Sequence, residues 1–210
     1  MPVRINGLNT GSVTLSASAN GGDVTLNLPN ANGTVATTSY ADTAPGLQYI
    51  TGQTFTAVTS VSVNNCFTST YAHYKIIFTM SSKSDTSNMR IRLRVSGTDN
   101  SSSNYYFNGA EAASDTATTI GATRSNGLAT SFILGPIGSG PGASDVTLYN
   151  PFASEATFLN ASTVCQYDSN IMVRFMGGRM TVTTSYDGFT LFPDTGTVTG
   201  TVRVYGYRSS

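Results

Sequence analysis

One histidine, His73, and eleven carboxylates make up most of the proton-transfer chemistry this chain could offer. In Tyr71-Ala-His-Tyr-Lys75, alternation sets His73 with Tyr71 and Lys75 on one strand face, opposite Ala72, Tyr74 and Ile76. As a general base His73 would need an orienting partner, and the pattern points to none. It reads as a structural or solvated strand histidine. No Cys-x-x-Cys, His-x-x-x-His or Gly-x-Ser-x-Gly spacing occurs, which removes the usual zinc and serine-hydrolase signatures. Glu111 and Glu155 are the only glutamates, and Asp85, Asp99, Asp168, Asp187 and Asp194 stand in turn contexts, where aspartate bonds local amides. A glycosidase pair assembled from distant acids stays open, but nothing singles one out. Residues 84–88 and 98–100 could bind a cation weakly; turn chemistry is the simpler account.

One charged constellation stands out. Arg90, Arg92 and Arg94 alternate with Met89, Ile91, Leu93 and Val95, so three guanidinium groups line one face of a single strand. Their charge must be offset by carboxylates of a neighbouring subunit, by an anionic glycan, or by tyrosine faces. A solvated face stacked across tyrosines of the adjacent strand gives the same pattern. The face is therefore a candidate inter-subunit or anion-contact surface. Eleven tyrosines and ten phenylalanines without tryptophan also read two ways. Tyr105-Tyr-Phe107, Tyr205 and Tyr207 form either a sugar-stacking platform or core and interface packing, with packing favoured.

The elements that must position these groups are strands. Charged residues are 10% of the chain, against about 25% in ordinary soluble domains. Serine, threonine, asparagine and 21 glycines stand in their place. The net charge is +0 and the lysines are Lys75 and Lys83 alone, so no basic footprint for nucleic acid and no polybasic membrane patch exists. A chain with so little self-repulsion fits a protein whose surface is occupied in an assembly. The start of the sequence lacks the apolar core of a secretory signal, so the chain is expected to begin in the cytoplasm where it is made. Cys66 and Cys165, beside apolar and aromatic residues, read as buried thiols rather than a disulfide.

Residues 1–46 contain short alternating strands at 13–16 and 24–28, split by the turn Asn20-Gly-Gly-Asp23 and followed by Pro29-Asn-Ala-Asn-Gly33. With Tyr40 as its sole aromatic, this segment buries too little by itself. It reads as an arm that docks on another protein or intertwines with its own copies, and residues 41–46 read as its linker. From residue 47 onward, candidate strands are 54–63, 74–80, 89–95, 104–107, 128–134, 146–149, 157–164, 171–176, 180–184, 189–192 and 198–207. In the last, Val198, Val202 and Val204 share the face opposite Thr201, Arg203, Tyr205 and Tyr207. Residues 81–88, 99–103 and 135–144 are expected as end loops, and 111–126 as the longest connection, with one helical turn over 110–113. The prediction is an all-β fold, a jelly-roll-like β-sandwich over 47–210 preceded by a short N-terminal β-hairpin arm.

Three stretches carry a resemblance. Val24-Thr-Leu-Asn-Leu-Pro-Asn-Ala-Asn-Gly-Thr-Val-Ala-Thr37 is similar to a strand-turn-strand segment near the start of bacteriophage fibre and head-decoration proteins. Tyr74-Lys-Ile-Ile-Phe78 with Met89-Arg-Ile-Arg-Leu-Arg-Val-Ser-Gly97 and Asn104-Tyr-Tyr106, then Gly200-Thr-Val-Arg-Val-Tyr-Gly-Tyr-Arg208, resemble the body of their jelly-roll-like domain. These virion proteins are of the marine and cyanobacterial phage type. The resemblance implies attachment to a virion as a homotrimer, no enzymatic activity and no cofactor; it assigns no individual residue. The short arm suits a capsid decoration protein, of cement or head-spike type, whose partner is the major capsid protein and whose place, after synthesis in the host bacterial cytoplasm, is the particle surface. The alternative is a trimeric tail-fibre or tail-tip protein that contacts tail proteins and a host surface glycan. A secreted lectin or glycan-processing domain is a further class, disfavoured by the missing signal.

Overall fold

Polar and apolar residues alternate along most of the chain, and a backbone with that period buries one face only as a strand. The computed structural model describes residues 3–6, 12–15, 46–113, 120–125, 128–138 and 140–208. The chain divides into two units, Met1–Ala41 and Asp42–Ser210. In the first, β1 (Val3–Asn6) pairs antiparallel with β2 (Ser12–Leu15). β1 was not expected; the strand at 24–28 and the turns at 20–23 and 29–33 lie outside the described residues.

The second unit is built of strands, and no helix occurs among its described residues. In chain order these are β3 (Gly46–Val58), β4 (Val61–Val63), β5 (His73–Lys83), β6 (Ser87–Val95), β7 (Thr98–Asp99), β8 (Tyr105–Ala113) and β9 (Gly121–Arg124). They continue with β10 (Phe132–Ile137), β11 (Gly142–Tyr149), β12 (Phe158–Tyr167), β13 (Asn170–Met180), β14 (Gly188–Pro193) and β15 (Val198–Arg208). An eight-stranded sheet runs β3-β15-β5-β11-β12-β13-β8-β9, and a five-stranded sheet runs β10-β6-β14-β4 with β7 on β6. Every pairing is antiparallel. The architecture is an all-β sandwich.

The core lies between the sheets. Tyr74, Ile76, Val146, Leu148, Val202 and Val204 enter it from the large sheet, and Met89, Ile91, Leu93, Phe189 and Leu191 from the small one. β10, buried along its length, lies over β12 and β13. There Thr163 Oγ1 donates to the Leu134 carbonyl at 3.0 Å. A Cβ on Gly135 would stand 2.4 Å from Thr163 Cβ, so only glycine lets the layers meet this closely. β15 sits between β3 and β5 with Val198, Val202 and Val204 buried, as its alternation predicts.

Several boundaries differ from expectation. The strand expected over 54–63 begins at Gly46 and breaks after Val58, and its two pieces lie in different sheets. A chain crossing from one layer to the other has to turn sharply, and Ala57 adopts a positive φ of 49°. The helical turn over 110–113 is strand instead, paired with residues 172–175 of β13. Ladder bonds and the Glu111–Arg174 ion pair outweigh the helix propensity of three alanines. The connection over 111–126 likewise contains the end of β8 and all of β9. Of the strand expected over 180–184 only Met180 is extended, as the end of a β13 that runs unbroken through Gly177 and Gly178. The loops over 81–88 and 135–144 shorten because β5, β6, β10 and β11 extend into them.

Cys66 and Cys165 are buried free thiols. Burial is the main cause that pushes the Cys66 thiol from 9.0 up to about 12, with the nearby Asp187 adding to it. Burial raises the Tyr74, Tyr105 and Tyr186 hydroxyls in the same direction. Because the folded value lies above the unfolded one, the stabilisation is complete below pH 9.0 and is lost as pH climbs through about 12. Urea midpoints taken across that interval should fall more steeply for the wild type than for Cys66→Ala. Parallel curves would contradict this account of Cys66.

Candidate functional site

The arginine row lies on the outer face of the small sheet, where strand alternation puts it, and its charge is balanced inside the chain. Arg90 pairs with Asp194, and its Nη1 donates to Ser131 Oγ at 3.3 Å. Arg94 lies 2.8 Å from Asp99, and its Nη1 donates to Ser62 Oγ and Thr190 Oγ1, each at 2.6 Å. Thr190 Oγ1 in turn donates to Asp99 Oδ1 at 2.7 Å. This network ties together β4, β6, β7 and β14. Arg92 donates to the Thr130 carbonyl at 3.1 Å and its guanidinium lies 4.5 Å from the centre of the Phe192 ring. The offsetting ring is a phenylalanine of β14 rather than a tyrosine, and for Arg90 and Arg94 the carboxylates are the chain's own.

Other acids among the described residues are also engaged locally. Glu111 pairs with the buried Arg174, which donates from Nη1 to Asn88 Oδ1 at 2.7 Å. Asp187 Oδ2 accepts the Ser96 N–H at 2.8 Å, and Asp85 Oδ2 accepts from Thr195 at 2.8 Å. Among the described residues no three His, Cys, Asp or Glu side chains are grouped to hold a metal ion. His73 meets the Tyr149 ring edge-on at 5.3 Å on the outer face of the large sheet.

That outer face is open. Along it, register places Arg124, Asn108, Gly177, Asn160, Thr147 and Lys75 in one row across strands β9, β8, β13, β12, β11 and β5. The next row holds Tyr106, Arg179, Phe158, Tyr149, His73 and Tyr207. Residues directly opposite in an antiparallel ladder share a face, so these side chains stand together. Gly177 contributes none, and the gap it leaves is the floor of an open groove of about 760 Å³ walled by Tyr106, Tyr149 and Phe158. On the other side of the first row, Val173 lies opposite Val164 and Ala112, and Phe175 opposite Ser162 and Ala110. Phe175, Ile171 and Val164 keep 59%, 56% and 45% of their surface exposed.

The aromatic platform read from sequence divides. Tyr105 is fully buried, donating from its hydroxyl to the Asn100 carbonyl at 2.7 Å, and Phe107 belongs to the core. Of that triplet Tyr106 and Phe107 border the groove; Tyr205 packs edge-on against Tyr49 at 5.7 Å, strands away. Sequence reasoning missed Tyr149, Phe158, Arg124 and Arg179. Alternation places Phe158 and Asn160 on the outer side of β12, but only the register between distant strands brings the groove together.

The Arg94–Asp99–Thr190 network implies unequal costs along the arginine row. Asp99→Ala strips Arg94 and Thr190 of a charged acceptor and should lower stability by about 1.5–3 kcal/mol. Arg92→Ala removes a cation–π contact at a partly exposed site and should cost about 1 kcal/mol. Urea denaturation of both variants decides; equal losses would show that the network contributes no more than the stacked arginine. No protein-family model, curated protein or solved structure matches the chain.

Proposed function

We propose that this chain is a structural protein of a bacteriophage virion: a capsid decoration protein that binds the major capsid shell as a homotrimer and acts without catalysis or cofactor. Residues 1–46 are its attachment arm and the sandwich, of jelly-roll type, projects outward. The observation that carries this reading is the apolar patch of Ile171, Val173, Phe175 and Val164 on the outer face of the large sheet. A contiguous exposed patch of this kind favours coverage by another protein surface. Net charge of +0 removes the repulsion that would oppose a second and third copy of the same chain there. Closed three-fold packing then matches the local three-fold positions of a shell. The resemblance of the 24–37, 74–106 and 200–208 stretches to phage head-decoration and fibre proteins points the same way.

A second reading, a trimeric tail-fibre or tail-tip protein that recognises a host surface glycan, is favoured by the open groove beside Gly177. It keeps the fold and the trimer and moves the chain from head to tail.

Phe175→Glu places a carboxylate in the patch and should convert the trimer to monomers in sedimentation or light scattering. As an exposed substitution it should leave the melting temperature nearly unchanged. Removal of residues 1–45 should abolish binding to capsid shells. A trimer that survives Phe175→Glu would remove the patch from the interface, and shell binding without residues 1–45 would end the arm assignment.

A further inference from the structure

We propose that the groove around Gly177 is a binding site for an acidic oligosaccharide. The inference deepens the glycan-recognition reading and rests on it for the source of the sugar; the chemistry follows from the groove itself. Its floor is the outward face of Gly177, where a Cβ would meet nothing nearer than Asn160 Oδ1 at 3.8 Å. The cleft is therefore open because the residue is glycine, and not because the backbone demands one. Tyr106, Tyr149 and Phe158 supply flat apolar walls on which the C–H face of a pyranose ring can rest.

The polar groups are held in place before any ligand arrives. Asn108 Oδ1 accepts the Gly109 N–H at 2.9 Å, and Asn160 Nδ2 donates to the Tyr149 hydroxyl at 3.4 Å. Side-chain amides fixed this way can bond paired sugar hydroxyls at little entropic cost. Ser125 also lines the groove, its hydroxyl accepting the Phe107 N–H at 3.1 Å and donating to the Phe107 carbonyl at 3.3 Å.

Charge narrows the class of sugar. Arg124 and Arg179 both line the groove, and among the described residues no carboxylate does. Arg179 lies 5.8 Å from the Tyr106 ring centre. Among the described residues neither arginine has a carboxylate within ion-pair distance, whereas Arg90, Arg94 and Arg174 each do. Two guanidinium groups with no acid partner among the described residues, beside an aromatic wall, suit a uronic acid carboxylate or a sugar phosphate. An acidic peptide fits less well, because the backbone groups of a sheet face are spent on ladder bonds and offer no edge to extend. Nucleic acid fits less well again, since the chain carries no net positive charge. Within the groove the row runs from Arg124 to Asn160, three interstrand steps or about 14 Å at ~4.8 Å each. That length accommodates a short oligosaccharide.

The test is titration calorimetry of the full chain with three probes: a hexameric oligoalginate, a phosphorylated lipopolysaccharide core oligosaccharide, and neutral maltohexaose. The expected result is saturable binding of at least one acidic probe, tenfold or more tighter than maltohexaose; whichever acidic probe binds tells carboxylate from phosphate recognition. Gly177→Val, which fills the floor without a backbone clash, and Arg179→Ala should each weaken it at least tenfold with an unchanged melting temperature. No binding by any probe, equal binding of maltohexaose, or full affinity in both variants would overturn the assignment. So would a change of oligomeric mass in Gly177→Val, which would make the groove a contact between copies. Immunolabelling of virions separates this result from the tail reading. Acidic-glycan binding with label on the head keeps the site and ends the tail reading; label on the tail with no binding does the reverse.

Discussion

Everything distinctive about this molecule follows from a large antiparallel sheet that the described strands cover on one face only. Alternation along β12 and β13 sends Leu159, Ala161, Met176 and Met180 inward, and the same alternation must send Phe158, Val164, Phe175 and Ile171 outward. A strand cannot bury both faces unless a layer lies on each side. The small sheet supplies one layer, pressed close where Gly135 meets Thr163. The apolar outer face of β12 and β13 is what remains.

The two outer surfaces of the sandwich are consequently different in kind. On the small sheet, Arg90 and Arg94 are neutralised by Asp194 and Asp99, and Arg92 lies on Phe192, so its charge is spent on holding strands together. On the large sheet, Phe175, Ser162 and Asp145 form a row between an apolar patch on one side and an aromatic, arginine-bearing groove on the other. Under the proposed function these become a face for self-association and a face for a ligand. Both come from one register, since a slip of one residue between β12 and β13 would turn either Phe158 or Phe175 inward.

The fold class was legible because its signal is local. Met89 to Leu93 and Val198 to Tyr207 alternate so regularly that their buried faces can be named residue by residue. Where a local preference met a stronger partner, it misled: the alanines at 110, 112 and 113 read as helix until β13 is known to lie beside them. The glycine pair at 177 and 178 read as a break, although Gly177 leaves space outside the sheet and Gly178 makes room for Phe132 inside it. The groove was not legible for a different reason. Arg124, Asn108, Gly177 and Asn160 are neighbours only through three ladders, and no spacing along the chain encodes that order. The arginine row was visible, but its acids were not: Asp99 meets Arg94 through the pairing of β7 with β6, and Asp194 reaches Arg90 only because β14 lies beside β6.

The central claim is that the sandwich meets other copies of itself, and a capsid shell, through surfaces its own core leaves uncovered. Electron cryomicroscopy of expanded capsid shells incubated with the purified chain tests it most directly. The account predicts three-lobed density at local three-fold positions, with the outer faces of the large sheets turned toward one another. Bare shells, or bound chains whose β12 and β13 faces stay in solvent, would contradict it.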